Sequence, residues 1–258
     1  MTPPENLTGG NMSSVQRIGD TVHRTSTPAS PTIQRLLTHI RSKGITWVPK
    51  PLGFDDQGRE VLSYVSGQVV HDMPDWIWSE PILKDIAKRL RAFHDATLEF
   101  DQTGALWNFP SREPKEVIVH HDFAPYNCVF ENEQFVGLID FDLCAPGPRI
   151  WDIAYAAYRF VPLLPASGPE NWDQSPFDEP EMLRRLDLFV NSYNQGTLIP
   201  NPTSKTVLDT AKLRLEVLAE WTQNHARQVG SGQLEDNAKM YTANAKWLGR
   251  YSSSATSL

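Results

Sequence analysis

Apolar and polar positions change period several times along the chain, and each change predicts a change of structure. Through the first seventy or so residues the alternation is two-residue. VQRI and TVHR flank the hairpin dipeptide Gly19-Asp20, and EVLSYV follows the turn DDQG, so short antiparallel strands are expected, with another in WVPKPLGF. One helical stretch interrupts them. Ile33, Leu36, Leu37 and Ile40 recur on a single face, Pro31 suits a first turn, Ser30 reads as the cap and Gly44 as the stop. Residues 81–96, PILKDIAKRLRAFHDA, place Ile82, Ile86, Leu90 and Phe93 on one helical face, with His94-Asp95 read as a structural contact near its end. Short apolar runs then return as VIV, CVF and FVGLI around the polar loop HHDFAPYN and the turn ENEQ. Beyond them AYAAYRFVPLLP reads as helix up to Pro162. After the polar segment SGPENWDQSPFDEP, three helices are expected over about 179–196, 204–230 and 233–249.

Chemistry concentrates where the strands return, in Val117–Ala154. Asp122, Asn127 and Asp140 carry oxygen-bearing side chains at fixed intervals. A hairpin folds its ends together, so Asn127 and Asp140 should lie side by side, with Asp122 on the loop that feeds them. Three such groups suit a hard divalent cation with a proton acceptor beside it. Any one of them alone would be an ordinary loop residue.

The chain has 258 residues, 40% of them hydrophobic, with eight Trp, which argues for a folded globule with a large core. With 24 Lys+Arg against 31 Asp+Glu the formal net charge is −7, and no basic cluster offers itself to nucleic acid. This acidity suits a cationic partner. Cys128 and Cys144 form no CxxC pair and no disulfide framework is expected. The first residues show no signal-peptide pattern and no apolar run reaches membrane-spanning length, so a cytoplasmic protein is expected.

HHDFAPYN with IDFD, followed by PGPRIWDIA, resembles the aminoglycoside phosphotransferase and choline kinase-like family of small-molecule kinases. The resemblance implies an α+β, protein-kinase-like bilobal fold. A reduced antiparallel β-lobe would cover residues 1–66 and a larger, mainly helical lobe residues 67–258. It implies ATP, or GTP in its place, together with Mg2+, and a small-molecule hydroxyl as acceptor, cationic acceptors included, with no nucleic acid and no membrane as partner. Asp122 takes the position of the catalytic proton acceptor, and Asn127 and Asp140 those of the metal ligands. His120 and Asp152 become structural supports of the catalytic loop. Arg24 stands where the strand-borne, phosphate-binding Lys is usual, and a planar guanidinium can serve there. Gly9 and Gly10 would let backbone N–H groups approach the phosphates, unless they form a plain turn. Leu62, Tyr64 and Val65 would form the hinge that meets the adenine. For Asp142 three placements stay open: adding charge to the metal or substrate pocket, facing solvent, or pairing with Arg149. Alternation along an extended strand would put it on the same side as Asp140.

Two departures set the limits of the resemblance. There is no GxGxxG, and residues 30–44 contain no acid to pair with Arg24, for which Gln34 is the available substitute. They motivate a second reading: a catalytically weak nucleotide-binding module of the toxin-immunity type on the same fold. A third, a metal-dependent phosphohydrolase built on His120, His121, Asp122 and Asp140, conflicts with the strand-like runs around these residues.

Overall fold

A computed structural model describes residues 5–6, 15–170, 172–196 and 202–252. The chain divides into two compact units. One comprises residues 1–77 and 89–149, the other residues 78–88 and 150–258.

In the first unit, β1 (Glu5–Asn6), β2 (Val15–Ile18), β3 (Thr21–Arg24), β4 (Pro51–Phe54) and β5 (Glu60–Ser63) form an antiparallel sheet in the order β1-β2-β3-β5-β4. Gly19, at φ +61°, makes the β2–β3 turn. The strand expected in WVPKPLGF starts only at Pro51, and Trp47 uses its carbonyl to accept the Leu138 N–H at 2.9 Å. Helix α1 (Ser30–Ser42) packs on β4, with Ile33, Leu36, Leu37 and Ile40 all buried as their spacing demands. Its cap differs from expectation. The N-cap position is Ala29, without a side-chain bond, and the Ser30 hydroxyl instead accepts from the Thr27 N–H at 3.0 Å.

Two smaller sheets follow. In one, β6 (Gln68–Val69), β8 (Cys128–Glu131) and β9 (Gln134–Leu138) run in the order β6-β8-β9. Asn132 and Glu133, both at positive φ, make the two-residue turn whose twist matches the flanking strands. Gly67 feeds β6 at φ +140°. A Cβ there would meet the Val129 Cγ1 at 2.5 Å and the Phe130 carbonyl oxygen at 2.7 Å, so only glycine fits. In the other, β7 (Val117–Val119) pairs with β10 (Ala145–Gly147), joining both ends of the Asp122–Asp140 segment. The helix α2 (Glu80–Ala96) runs from one unit into the other. Its last turn supports β7: the Thr97 hydroxyl donates to the His94 carbonyl at 2.9 Å and accepts from the Ile118 N–H at 3.1 Å.

The second unit holds α3 (Arg149–Phe160) beyond its first residue, α4 (Glu179–Asn194), α5 (Ser204–Val229) and α6 (Gly232–Ser252). Local signals bound each helix. Asp178 caps α4 by accepting from the Glu181 N–H, Thr203 and Thr206 form a capping box on α5, and Gly230, at φ +69°, ends it. A buried Asn244 amide donates to the Tyr158 hydroxyl at 3.0 Å, tying α6 to α3. Among the described residues no helix is long and apolar enough to cross a membrane.

Candidate active site

The loop between β7 and β8 turns back on itself so that its polar side chains bond one another. His121 adopts a left-handed φ of +67°, and a short 3₁₀ turn at Pro125–Asn127 delivers Asn127 back to Asp122. The Asn127 Nδ2 donates both to the Asp122 Oδ2, at 2.8 Å, and to the Asp122 carbonyl, at 2.9 Å. Both acceptors demand the NH2 group, so the Asn127 Oδ1 points the other way and is available as a ligand oxygen. The Tyr126 hydroxyl donates to the Asp122 Oδ1 at 2.7 Å. Asp122 is thus held by both oxygens, and its carboxylate has one orientation.

Asp140 arrives by the hairpin. The Asn127 carbonyl accepts the Ile139 N–H at 2.9 Å, directly beyond the Cys128–Leu138 pair of β8 and β9, so Asn127 and Asp140 close the same end. Asp140 itself takes φ +62°, ψ +67°. His120 fixes this crossing from below. Fully buried among Phe93, Phe123 and Phe141, it meets the Ile139 carbonyl through Nε2 at 3.1 Å. Cys128 lies beneath the loop, and burial, then the Asp122 charge, pushes its thiol pKa up, so it acts as a small apolar residue there.

Residues 141–143 form a 3₁₀ turn, which replaces the extended strand expected beyond Asp140. The left-handed Asp140 reverses the chain and turns Asp142 toward β3. There the Asp142 Oδ1 lies 2.8 Å from the Arg24 Nη2, while Arg149 pairs with Asp95 at 2.8 Å. Of the three placements open for Asp142, pairing with Arg149 is the one the structure does not show. Its partner is Arg24.

Arg24 has a second carboxylate. Its Nε donates to the Glu60 Oε2 at 2.6 Å, and both side chains are buried. Glu60 is the cross-strand partner of Arg24 on β5. Gln34 reaches this pair through Glu60, donating to its Oε1 at 2.9 Å and accepting the Gly53 N–H at 3.0 Å, which the irregular β4 frees from the ladder. So Gln34 does not contact Arg24 directly, as expected from the sequence, but orients the carboxylate that does. Burial works against the Arg24 charge, yet Asp142 and then Glu60 outweigh it and raise its pKa above the ordinary arginine value. Glu60 was missed by sequence reasoning. The available signal was Glu60's place in EVLSYV, where alternation puts it on the same side as the buried Leu62.

Asp140 remains accessible to solvent, but the protein packed around it, then the Asp142 carboxylate, raise its pKa against the opposing pull of Arg24 and His120. Asp122 adds to the same repulsion. Crowded carboxylates that disfavour one another's charge suit a bound cation. Among the described residues no group of three or more His, Cys, Asp and Glu could hold a metal unaided. The Asn127 amide oxygen and the Asp140 carboxylate are hard oxygen donors of the kind that would suit Mg2+.

Of the expected nucleotide contacts, Gly9 and Gly10 lie outside the described residues. Leu62 is buried, and its strand position is paired on both sides, to Val22 and Pro51. The Tyr64 N–H is spent on the Asp20 carbonyl at 2.8 Å, and its ring lies 3.8 Å below the Arg17 guanidinium. Val65 follows it and packs against β9, where its Cγ1 leaves no room for a side chain at Gly137. Asp152 sits inside the first turn of α3 and is fully buried. Acids of the second unit have structural partners: Asp173 meets Arg159, Glu179 meets Arg250, Glu216 meets Lys212, and Asp178 caps α4.

The family model described as the phosphotransferase enzyme family matches residues 71–188, the segment that carries the loop, the hairpin and the Asp140 turn. The trifolitoxin immunity protein of Rhizobium leguminosarum bv. trifolii is 36% identical over 159 residues, 59% of this chain; the chain spans 60% of that protein's length. In fold the chain is similar to the ethanolamine kinase of Plasmodium vivax, with a TM-score of 0.68, 11% identity, and coverage of 96% of this chain and 83% of that one. It is also similar to aminoglycoside 2'-phosphotransferase-IIIa, solved as a GDP complex. There the TM-score is 0.64, the identity 12%, and the coverage 95% and 93%. The fold is that of the protein-kinase-like small-molecule phosphotransferases, with a small antiparallel sheet and a larger helical part.

Proposed function

We propose that this chain, whose residues 71–188 carry the sequence of the phosphotransferase enzyme family, is a kinase that moves the γ-phosphoryl group of ATP, or of GTP, onto a small-molecule hydroxyl. The observation that carries the reading is the orientation of Asp122. Its two oxygens are held by Tyr126 and Asn127, beside the strand end that brings in Asp140. In this reading Asp122 accepts the proton of the attacking hydroxyl, and Asn127 and Asp140 would hold Mg2+, which would supply charge neutralisation at the phosphates. Arg24, fixed by Glu60, meets the phosphates. His120 and Asp152 support the site, and the nucleotide lobe ends near residue 66. With the Tyr64 N–H already engaged, the backbone from Val65 onward is the remaining hinge contact for a base. Positioning and electrostatic stabilisation supply the catalysis, because a loose phosphoryl transition state asks little covalent help from protein.

The acceptor class follows the similar folds: aminoglycosides, or choline- and ethanolamine-like amino alcohols. ADP and GDP release measured across a panel of these compounds tests it, with release by one class expected and none from any member counting against the reading. A second reading, a nucleotide-binding immunity module with weak turnover, is favoured by the likeness to the trifolitoxin immunity protein. Nucleotide binding with protection from a peptide toxin but no acceptor-dependent turnover would decide for it.

A further inference from the structure

Arg24 is gripped at two of its nitrogens by carboxylates of unlike character. Glu60, on Nε, is wholly buried and is steadied from behind by Gln34. Asp142, on Nη2, comes from the 3₁₀ turn directly after Asp140 and keeps 24% of its side chain exposed. The Asp142 carbonyl accepts from the Asn108 side-chain amide at 3.3 Å, a bond that holds the backbone and not the carboxylate. Glu60 is therefore a fixed anchor and Asp142 an exchangeable one.

The charges around this grip are lopsided: one guanidinium faces Glu60, Asp142 and Asp140, and Asp140 in turn feels Asp122. A polyphosphate approaching alone would meet repulsion from the carboxylates and an Arg24 already engaged. A divalent cation beside Asp140 would offer Asp142 another partner, two residues along the same turn. We infer that Asp142 occupies Arg24 in place of a nucleotide phosphate and yields it only when a divalent cation draws the Asp142 carboxylate away, making phosphate binding conditional on the metal. This rests on the phosphotransfer reading and adds a positioning residue that couples its two cofactors.

The test is calorimetric titration of the full chain with a non-hydrolysable ATP analogue, in excess Mg2+ and again in EDTA. Native protein is compared with Asp142→Asn and, as a second variant, Asp142→Ser, each shown to be folded by thermal melting. For the native chain, binding in EDTA should be far weaker than in Mg2+. Removing the Asp142 charge should tighten binding in EDTA about tenfold, equivalent to ~1.4 kcal/mol, and so narrow the gap between the two conditions. Tripolyphosphate should show the same pattern, because the effect lies at the phosphates rather than the base. If the native chain binds the analogue in Mg2+ and both variants keep the native affinity in EDTA, or lose affinity, the inference is overturned while the phosphotransfer reading stands. If the native chain binds the analogue in neither condition, that reading fails and the exchange at Arg24 fails with it.

Discussion

Two regions of the first unit contribute polar groups to the candidate site, and they are built in different ways. The loop and hairpin from Val117 to Asp140 are assembled from near neighbours: Asn127 bonds Asp122 across five residues, and its carbonyl takes the Ile139 N–H. The Arg24 cluster is assembled across the fold. Arg24 and Glu60 are 36 residues apart, Gln34 and Glu60 26 apart, and Asp142 comes from yet another element. The first arrangement follows from turn chemistry and a hairpin. The second exists only once β3 and β5 have paired in register, so its integrity should be the more sensitive to any change in that pairing.

The comparison can be broken most forcefully at Glu60. Glu60→Ala leaves Arg24 buried with only the part-exposed Asp142 for company, and should cost about 3–5 kcal/mol in urea unfolding. A loss below about 1 kcal/mol would mean that water reaches Arg24 and that the cluster is no buried anchor. Next comes Gly67, which feeds the hairpin sheet. Gly67→Ala pushes a Cβ against the Phe130 carbonyl, a backbone atom that cannot step aside, and should destabilise by about 1–3 kcal/mol in the same assay. A neutral result would show that the β6–β8 pairing is looser than described.

A milder change separates orientation from folding within the loop. Tyr126→Phe removes the hydroxyl bonded to Asp122 and should cost about 1 kcal/mol of stability. Because only one of two restraints on Asp122 is lost, nucleotide affinity should stay near native while turnover falls. An equal loss in both would make Tyr126 a packing residue. The smallest effect on stability is expected at Asp140, and it has the opposite sign. A carboxyl whose pKa is raised on folding binds its proton more tightly in the folded chain. It contributes stability at pH below its ordinary value, and that contribution is lost as pH rises through the raised one. Asp140→Asn should therefore raise the melting temperature at neutral pH, lose that gain near pH 4, and abolish Mg2+-dependent nucleotide binding. A lower melting temperature at neutral pH would contradict the electrostatics described for the turn.

The same contrast explains what the sequence could reveal. Stripes at helical spacing located α1 and α2 to within a residue or two, since burying one apolar face is a strong, local demand. Caps were weaker guides: the Ser30 hydroxyl had a competing bond to the Thr27 N–H, and Ala29 took the capping position. The adjacency of Asn127 and Asp140 was legible because a hairpin enforces it. Asp142 was not, because two-residue alternation holds only along a strand, and the left-handed Asp140 ends the strand and begins a tight turn. Glu60 escaped notice for a different reason. Residues 30–44 have no acid, whereas strand register supplies the partner of Arg24 from β5.

The central claim is that Asp122 is the proton acceptor of a phosphoryl-transfer site, and Asp122→Asn tests it most directly. The amide keeps the shape and removes the basicity, so ATP binding in Mg2+ should remain close to native while acceptor-dependent ADP release falls by about 10²–10⁴-fold. A variant that turns over ATP at the native rate, or a native chain that binds no nucleotide in Mg2+, would contradict it.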